Sequence, residues 1–169
     1  MDWWEAALQQ ENFWRSFDPT PAKDVQCYCD GLTSFGVGLS IGGRERAYPL
    51  TDEHAARTDI KVVEALALEL AVLTLDALGY RNQAIIIHTD NTAVLGAFKK
   101  GKMAAPEPNR VLERVAAHEV RARLSIRLVW VDTHSQKADP PSRGKVSSSL
   151  PRLVPTMDPE LHRWFKPSW

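Results

Sequence analysis

The sequence has few cysteines and no long apolar run. No stretch approaches the roughly 20 apolar residues that a membrane-spanning helix needs, so we expect no membrane partner. The first residues lack a basic segment followed by an apolar one, which argues against secretion. The two cysteines, Cys27 and Cys29, lie two apart in a predicted strand, where a mutual disulfide is implausible. These absences predict an intracellular protein of the cytoplasm or nucleus.

The chain also has no net charge at pH 7, but its charges are unevenly distributed. Residues 1–90 hold twice as many acidic as basic side chains, and residues 91–169 show the reverse. Such segregation suits an acidic metal site beside a phosphate-binding surface. It equally suits chance segregation on a solvated surface, so charge alone does not decide between the two.

The hydrophobic pattern predicts an α/β domain. Three short extended runs at 25–30, 35–41 and 44–50 indicate a β-meander. A long amphipathic helix and a buried strand follow, then two helices separated by a loop and a last strand; we expect these at 58–79, 84–89, 92–101, 110–124 and 126–131. The order β-β-β-α-β-α-α-β predicts a mixed five-stranded sheet, a three-strand meander followed by parallel strands, with helices on both faces.

Two flanking segments complete the predicted organisation. Residues 1–24 are expected to form an aromatic helix over 2–17 and a proline-containing linker. The domain itself is expected to span 25–145. Residues 146–169 are expected to form a tail with a short helix, because Asp158 suits the N-cap and Pro159 the first helical position.

Four carboxylates occupy positions that this topology can bring together. Asp30 and Asp90 are expected at the ends of strands, and the carboxyl ends of parallel strands face a common crevice. Glu64 lies early in the long helix, and Asp139 lies in a proline-bounded turn after the last strand. Each acid alone fits an ordinary turn, helix surface or helix cap. Together they would repel one another and need cations, and Mg²⁺ prefers such oxygen ligands. That arrangement is typical of two-metal phosphodiester chemistry.

Four segments carry a resemblance to a known family. They are CDGLTSFGVGLSI (29–41), EALALELAV (64–72), HTDNTAVLGAFKKG (88–101) and WVDTHSQKADPPSRG (130–144). In this order, over roughly residues 25–145, the chain resembles ribonuclease H, in particular the ribonuclease H domains of retroelement polyproteins such as those of LTR and tyrosine-recombinase-type retrotransposons. The resemblance implies a ribonuclease H-like fold.

The resemblance also implies an activity and a metal centre. The protein would be an endonuclease, a hydrolase that cuts the RNA strand of an RNA/DNA hybrid. Its catalytic residues and metal ligands would be Asp30, Glu64, Asp90 and Asp139. They would hold two Mg²⁺ ions, for which Mn²⁺ is expected to substitute. The aromatic segment 1–24 is similar to the stretch that joins reverse transcriptase to ribonuclease H in such elements, which implies a reverse transcriptase domain as a partner.

Further residues are implied in substrate binding. Asn91 is the candidate for contacts to 2′-hydroxyl groups, by which proteins distinguish RNA from DNA. Lys99, Lys100 and Lys102 would bind phosphates of the duplex, the alternative being a solvated basic loop. Arg143 would either neutralise a phosphate or pair with a carboxylate.

The sequence departs from the family pattern in three places. Leu32 stands where a small or polar residue is usual, and Thr33 or Ser34 are the candidates to contact substrate instead. Gln136 stands where asparagine is common. His134 precedes Asp139 by five residues, and a histidine before the last acid helps product release in many cellular members, although retroelement domains often lack it.

Two other functions remain open. The first is a catalytically weak or inactive module of the same fold that binds nucleic acid or a reverse transcriptase partner; the presence of all four acids argues against it. The second is an integrase- or resolvase-like nuclease of the same fold. A proofreading exonuclease is disfavoured, because it needs Asp-x-Glu where this chain has Asp30, Gly31 and Leu32.

Overall fold

A computed structural model describes residues 21–154 and 156–167. The predicted aromatic helix over 2–17 lies outside the described residues. The strands are β1 (Lys23–Leu32), β2 (Gly36–Ile41), β3 (Arg44–Pro49), β4 (Gln83–Thr89) and β5 (Leu124–Trp130). The helices are α1 (Ile60–Ala77), α2 (Thr92–Lys100), α3 (Pro106–Ala122) and the single turn α4 (Asp139–Ser142), with a 3₁₀ turn at Thr133–Ser135.

The strands form one five-stranded mixed sheet in the order β3-β2-β1-β4-β5. The meander β1-β2-β3 is antiparallel, whereas β4 pairs in parallel with both β1 and β5. This confirms a mixed α/β architecture with a three-strand meander followed by parallel strands. Parallel pairing requires crossovers, and α1 and α3 provide them.

The core lies between the sheet and α1. Helix α1 begins after the N-cap Asp59, whose side chain accepts a hydrogen bond from the Lys61 N–H, and it is buried along most of its length. Such burial on nearly all sides is typical of a central helix, and α1 packs on β1, β2 and α3. Among the described residues, no helix is both long and apolar enough to cross a membrane.

Two glycines show that helices lie on both faces of the sheet. A Cβ on Gly31 would meet the backbone of α1, 2.9 Å from Glu64 N, and a Cβ on Gly38 would meet the backbone of α4, 2.3 Å from Ala138 O. Gly31 pairs with Val37 and therefore points to the opposite side from Gly38. Helices α1 and α4 thus cover opposite faces of the sheet.

Several predicted boundaries were wrong. Strand β1 does not end at Asp30 but continues to Leu32, because Gly31 and Leu32 still pair with β2. Helix α3 begins at Pro106 rather than at 110, since first-turn residues need no N–H donor and prolines are tolerated there. It ends at Ala122, where Arg123 adopts a left-handed conformation and Leu124 enters β5.

The expected helix at 158–165 is not formed. Asp158 does accept a hydrogen bond from the Leu161 N–H, but the following residues form turns. Phe165 then pairs with Leu50 beside β3, and Leu161, Trp164 and Phe165 are buried in the core. Burial of these side chains thus favours a turn over a regular helix. The division at residue 146 remains a prediction.

Candidate active site

Two of the predicted catalytic acids meet on neighbouring parallel strands. Tyr28 of β1 pairs with His88 of β4, so Asp30 and Asp90, each two residues further on, come to the same edge of the sheet. Asp30 is 8 % exposed, whereas Asp90, just beyond the end of β4, is partly exposed. The carboxyl ends of parallel strands thus bring these two acids together, as the sequence predicted.

Gly31 brings the third acid close. Its missing side chain lets the first turns of α1 lie directly on β1, since a Cβ there would be 2.9 Å from Glu64 N. Glu64 is consequently 7 % exposed and near both Asp30 and Asp90, whose charges raise its pKa. The glycine after Asp30 therefore positions Glu64.

Gly38 brings the fourth acid. It is the cross-strand partner of Asp30, and α4 packs against its bare Cα, so Asp139 at the start of α4 approaches from the other face. Ser142 Oγ, at the end of α4, donates a 2.6 Å hydrogen bond to Asp30 Oδ2. Arg143 pairs with Asp139, its Nη2 2.8 Å from Oδ1. The carboxylate pair predicted for Arg143 is therefore formed, and its contact with a phosphate stays a prediction.

Burial and mutual repulsion perturb the acids. Burial raises the pKa of Glu64 to about 8; the Asn91 side chain opposes this by hydrogen bonding, while Asp30 and Asp90 add to it. Burial also raises the pKa of Asp30 above its usual value, with the Ser142 hydrogen bond opposing and Asp90 and Asp139 adding. Charged carboxylates are therefore unfavourable here without a compensating cation.

Asn91 lies between the acids and α2. Its Oδ1 accepts hydrogen bonds from the N–H groups of Ala93 and Val94 at 2.9 and 3.0 Å, which caps α2. Because these two bonds engage Oδ1, the hydrogen bond between Asn91 and Glu64 comes from the amide NH₂ of Asn91. Its predicted contact with a 2′-hydroxyl remains a prediction.

Residues that the sequence did not identify support the acids. Gln136 is buried, and its Nε2 lies 3.1 Å from Cys29 O and 3.5 Å from Asp90 Oδ1. Thr133 Oγ1 donates to Asp90 Oδ2 at 3.2 Å. Only Gln136 gave a signal in the sequence, as the residue that replaces the common asparagine.

The other predicted substrate-binding residues surround this edge at different distances. Thr33 and Ser34 form the β1–β2 turn, just after Leu32, and His134 is exposed in the 3₁₀ turn next to Thr133. Lys99, Lys100 and Lys102 are exposed at the far end of α2, a helix of nine residues and so about 13 Å long, whose other end adjoins Asp90. Their roles in binding remain predictions.

The four acids are not drawn tightly together. Within the part of the chain that the structure describes, the group whose ligand atoms lie within 4.8 Å of one another is a different one, Glu69, His118 and Asp158. This second group could hold a metal ion. No pattern in the sequence indicated this group; His118 is buried on the α1-facing side of α3.

Comparison with known proteins adds no assignment. No protein-family model matches the chain. No curated protein matches it either.

Proposed function

We propose that the protein is a metal-dependent endonuclease of retroelement origin that hydrolyses the RNA strand of RNA/DNA hybrids, with Mg²⁺ as its metal. The observation that carries the proposal is the meeting of Asp30, Glu64 and Asp90 with the α4 that bears Asp139 at one sheet edge. The sequence resemblance to ribonuclease H supports the same conclusion. Binding to a reverse transcriptase domain belongs to this proposal as well.

The acids fit the group that they would hold. They offer only oxygen ligands, and the raised pKa of Glu64 and of Asp30 indicates carboxylates that a cation would stabilise in the ionised form. Two Mg²⁺ ions bound by the four acids would supply an activated water and stabilise the leaving oxygen of an in-line displacement. Mn²⁺ is expected to substitute.

The chain's own residues prepare the site and the substrate. Near neutral pH Glu64 retains a proton, which it must release before it can act as a ligand. Ser142 holds Asp30, while Gln136 and Thr133 hold Asp90. The remote lysines would contact phosphates away from the cut bond.

A second candidate is a module of the same fold that binds nucleic acid without cutting it. One observation favours it: Arg143 Nη2 lies 2.8 Å from Asp139 Oδ1, so a protein cation already balances the charge of this acid. In that case the ion pair, rather than a metal, would balance the charge of Asp139.

Cleavage of a labelled RNA/DNA hybrid tests the proposal. We expect the RNA strand of the hybrid to be cut with Mg²⁺ or Mn²⁺, and not with chelator. Asp90→Asn should abolish cutting, on the order of 10³-fold or more in rate, because a metal ligand is lost. Asp76→Asn is the matched control, because Asp76 lies at the end of α1 opposite to Glu64 and pairs with Arg81.

The substrate controls separate the alternatives. Matched RNA and DNA duplexes should stay intact. Hybrid binding without cutting under either metal would favour the binding module. Preferential cutting of DNA ends would favour an integrase- or resolvase-like enzyme.

A further inference from the structure

A buried group of three ligand-type side chains lies away from the proposed active site. Glu69 comes from α1, His118 from α3 and Asp158 from the C-terminal segment. Glu69 is fully buried and His118 is 8 % exposed. Three separate elements of the fold therefore place one ligand-type side chain each at a common point.

The imidazole of His118 points into this group without a hydrogen bond at Nε2. That nitrogen lies 3.6 Å from Glu69 Oε1 and 3.5 Å from Asp158 Oδ2. Both distances exceed the roughly 2.7–3.2 Å of an N–H···O bond. They are close to the ~3.4 Å that separates two ligands of a tetrahedral zinc ion with bonds of about 2.0–2.1 Å.

We propose that Glu69, His118 and Asp158 form a zinc site. An imidazole with two carboxylates favours Zn²⁺ over Mg²⁺, which takes oxygen ligands almost alone. Water would complete the tetrahedron, because three protein side chains supply only three donors. The ion would also join the C-terminal segment to α1 and α3. It is independent of the proposed nuclease centre.

Two arginines border the group and have opposite effects on metal binding: Arg114 supports it and Arg121 opposes it. Arg114 Nε and Nη2 donate to Glu69 Oε1 and Oε2, both at 2.7 Å. This fixes the carboxylate while leaving each oxygen a further lone pair for an ion. Arg121 Nη2 lies 2.8 Å from His118 Nδ1. An arginine can only donate, so Nδ1 accepts and the proton of the neutral ring is on Nε2.

Zinc binding must therefore displace Arg121. The ion needs Nε2 without its proton, which then resides on Nδ1, where it faces the Arg121 donor. Arg121 is exposed and can turn to solvent. Arg121 consequently competes with the metal, and its removal should strengthen zinc binding rather than weaken it.

Metal titration of the untagged, chelator-treated full chain tests the proposal. We expect one Zn²⁺ per chain, a rise in Tm of roughly 5–10 °C at a hundredfold excess over Kd, and Co²⁺ absorption of the four-coordinate type. Asp158→Asn should lower the affinity at least 10-fold, since a charged ligand is lost. The asparagine keeps the oxygen that accepts from the Leu161 N–H, so the turn is preserved.

Three further variants make the test selective. Glu160→Gln, an exposed neighbour, should bind zinc as the parent does. Arg121→Gln should bind zinc about 3–10-fold more tightly, because zinc binding would no longer break the hydrogen bond between Arg121 and His118. Asp90→Asn should leave this zinc binding unchanged, which separates it from the nuclease metal. Absence of binding, or binding that Asp158→Asn does not weaken, would overturn the proposal.

Discussion

Ser142 Oγ donates a 2.6 Å hydrogen bond to Asp30 Oδ2 and so joins α4 to β1 across 112 positions of sequence. Asp30 is buried, which raises its pKa, and this bond opposes that rise more than the backbone N–H of Gly31 does. The same contact therefore holds the acid-bearing turn on the sheet and favours the ionised form of Asp30.

Ser142→Ala should weaken both functions of this contact. We expect a loss of about 1–2 kcal/mol in the free energy of unfolding, because a buried acceptor loses its donor. Cleavage should require more Mg²⁺, since Asp30 would hold its proton more tightly. Urea unfolding and a Mg²⁺ titration of the cleavage rate measure the two effects. Exposed Ser148→Ala is the control, and an unchanged Mg²⁺ requirement would contradict the prediction.

Glu64 should make the metal-free protein less stable as the pH rises. Its pKa is about 8 in the folded chain and near 4.5 when unfolded, so the folded state binds the proton more tightly. Its stabilising contribution is complete below pH 4.5 and is lost as the pH rises through 8. In chelator, Glu64→Gln should therefore exceed the parent in stability at pH 9, by about 1–4 kcal/mol, and gain less at pH 5.

Urea unfolding at pH 5, 7 and 9 measures this difference. Exposed Glu53→Gln is the matched control and should show no such pH dependence. A Glu64→Gln chain whose stability follows the parent at all three pH values would refute the prediction.

Gly38→Ala should separate α4 from the sheet. A Cβ there would lie 2.3 Å from both Ala138 O and Ser142 N, which are backbone atoms and cannot move alone. We expect a loss of about 1–3 kcal/mol and a fall in cleavage rate, because Asp139 leaves the other acids. Gly96→Ala is the control: its Cβ meets open space within a helix, so it should stabilise the fold by about 0.5–1 kcal/mol. Thermal melts and cleavage rates measure both effects. Equal Tm values and equal rates for the two variants would contradict the prediction.

Arg114 is expected to balance the buried charge of Glu69. Burial raises the pKa of Glu69, but His118 and Arg114 beside it lower that pKa by more, so the group stays ionised. Arg114→Met should cost about 3–5 kcal/mol, because a fully buried carboxylate loses its partner. The double variant Glu69→Leu/Arg114→Met should cost less than the single one, as denaturant unfolding would show. A more severe double variant would contradict this reasoning.

The three lysines at the end of α2 should contribute to affinity rather than to chemistry. Replacing Lys99, Lys100 and Lys102 by glutamine should weaken hybrid binding and reduce its salt dependence, because fewer counterions are released. At saturating hybrid the cleavage rate should hold, since these residues lie at the far end of α2, a helix about 13 Å long whose other end adjoins Asp90. Arg81→Gln, before the opposite end of β4, is the control. A lower cleavage rate at saturating hybrid, with unchanged affinity for the hybrid, would instead show that the lysines take part in the cleavage step.

Much of the fold was predictable because local patterns determine it. The alternation of β1 to β3, the apolar faces of α1 and the apolar β4 gave the elements and their order. Short-range rules failed where tertiary burial decides: Asp158 and Pro159 suit a helix start, but the burial of Trp164 and Phe165 imposes a turn. The burial of His118 could not be predicted, because nothing nearby in sequence shows that Glu69 lies opposite it.

The acids of the candidate site were named from sequence, but their supports were not. Gln136 reaches Cys29 O across 107 positions, and Ser142 reaches Asp30 across 112. Such contacts depend on how α4 docks, which no local pattern encodes. Gly31 and Gly38 look like ordinary strand glycines until the helices packed on them are seen.

The C-terminal segment has one more effect on this molecule. Glu45 bridges to Arg152, Leu50 bridges to Phe165, and Pro49 O accepts from the Lys166 N–H, so the outer side of β3 is already hydrogen-bonded. An unpaired strand edge is where one protein molecule can extend the sheet of another. By pairing β3 with its own C-terminal segment, the protein leaves fewer free backbone groups at that edge with which a second molecule could extend the sheet.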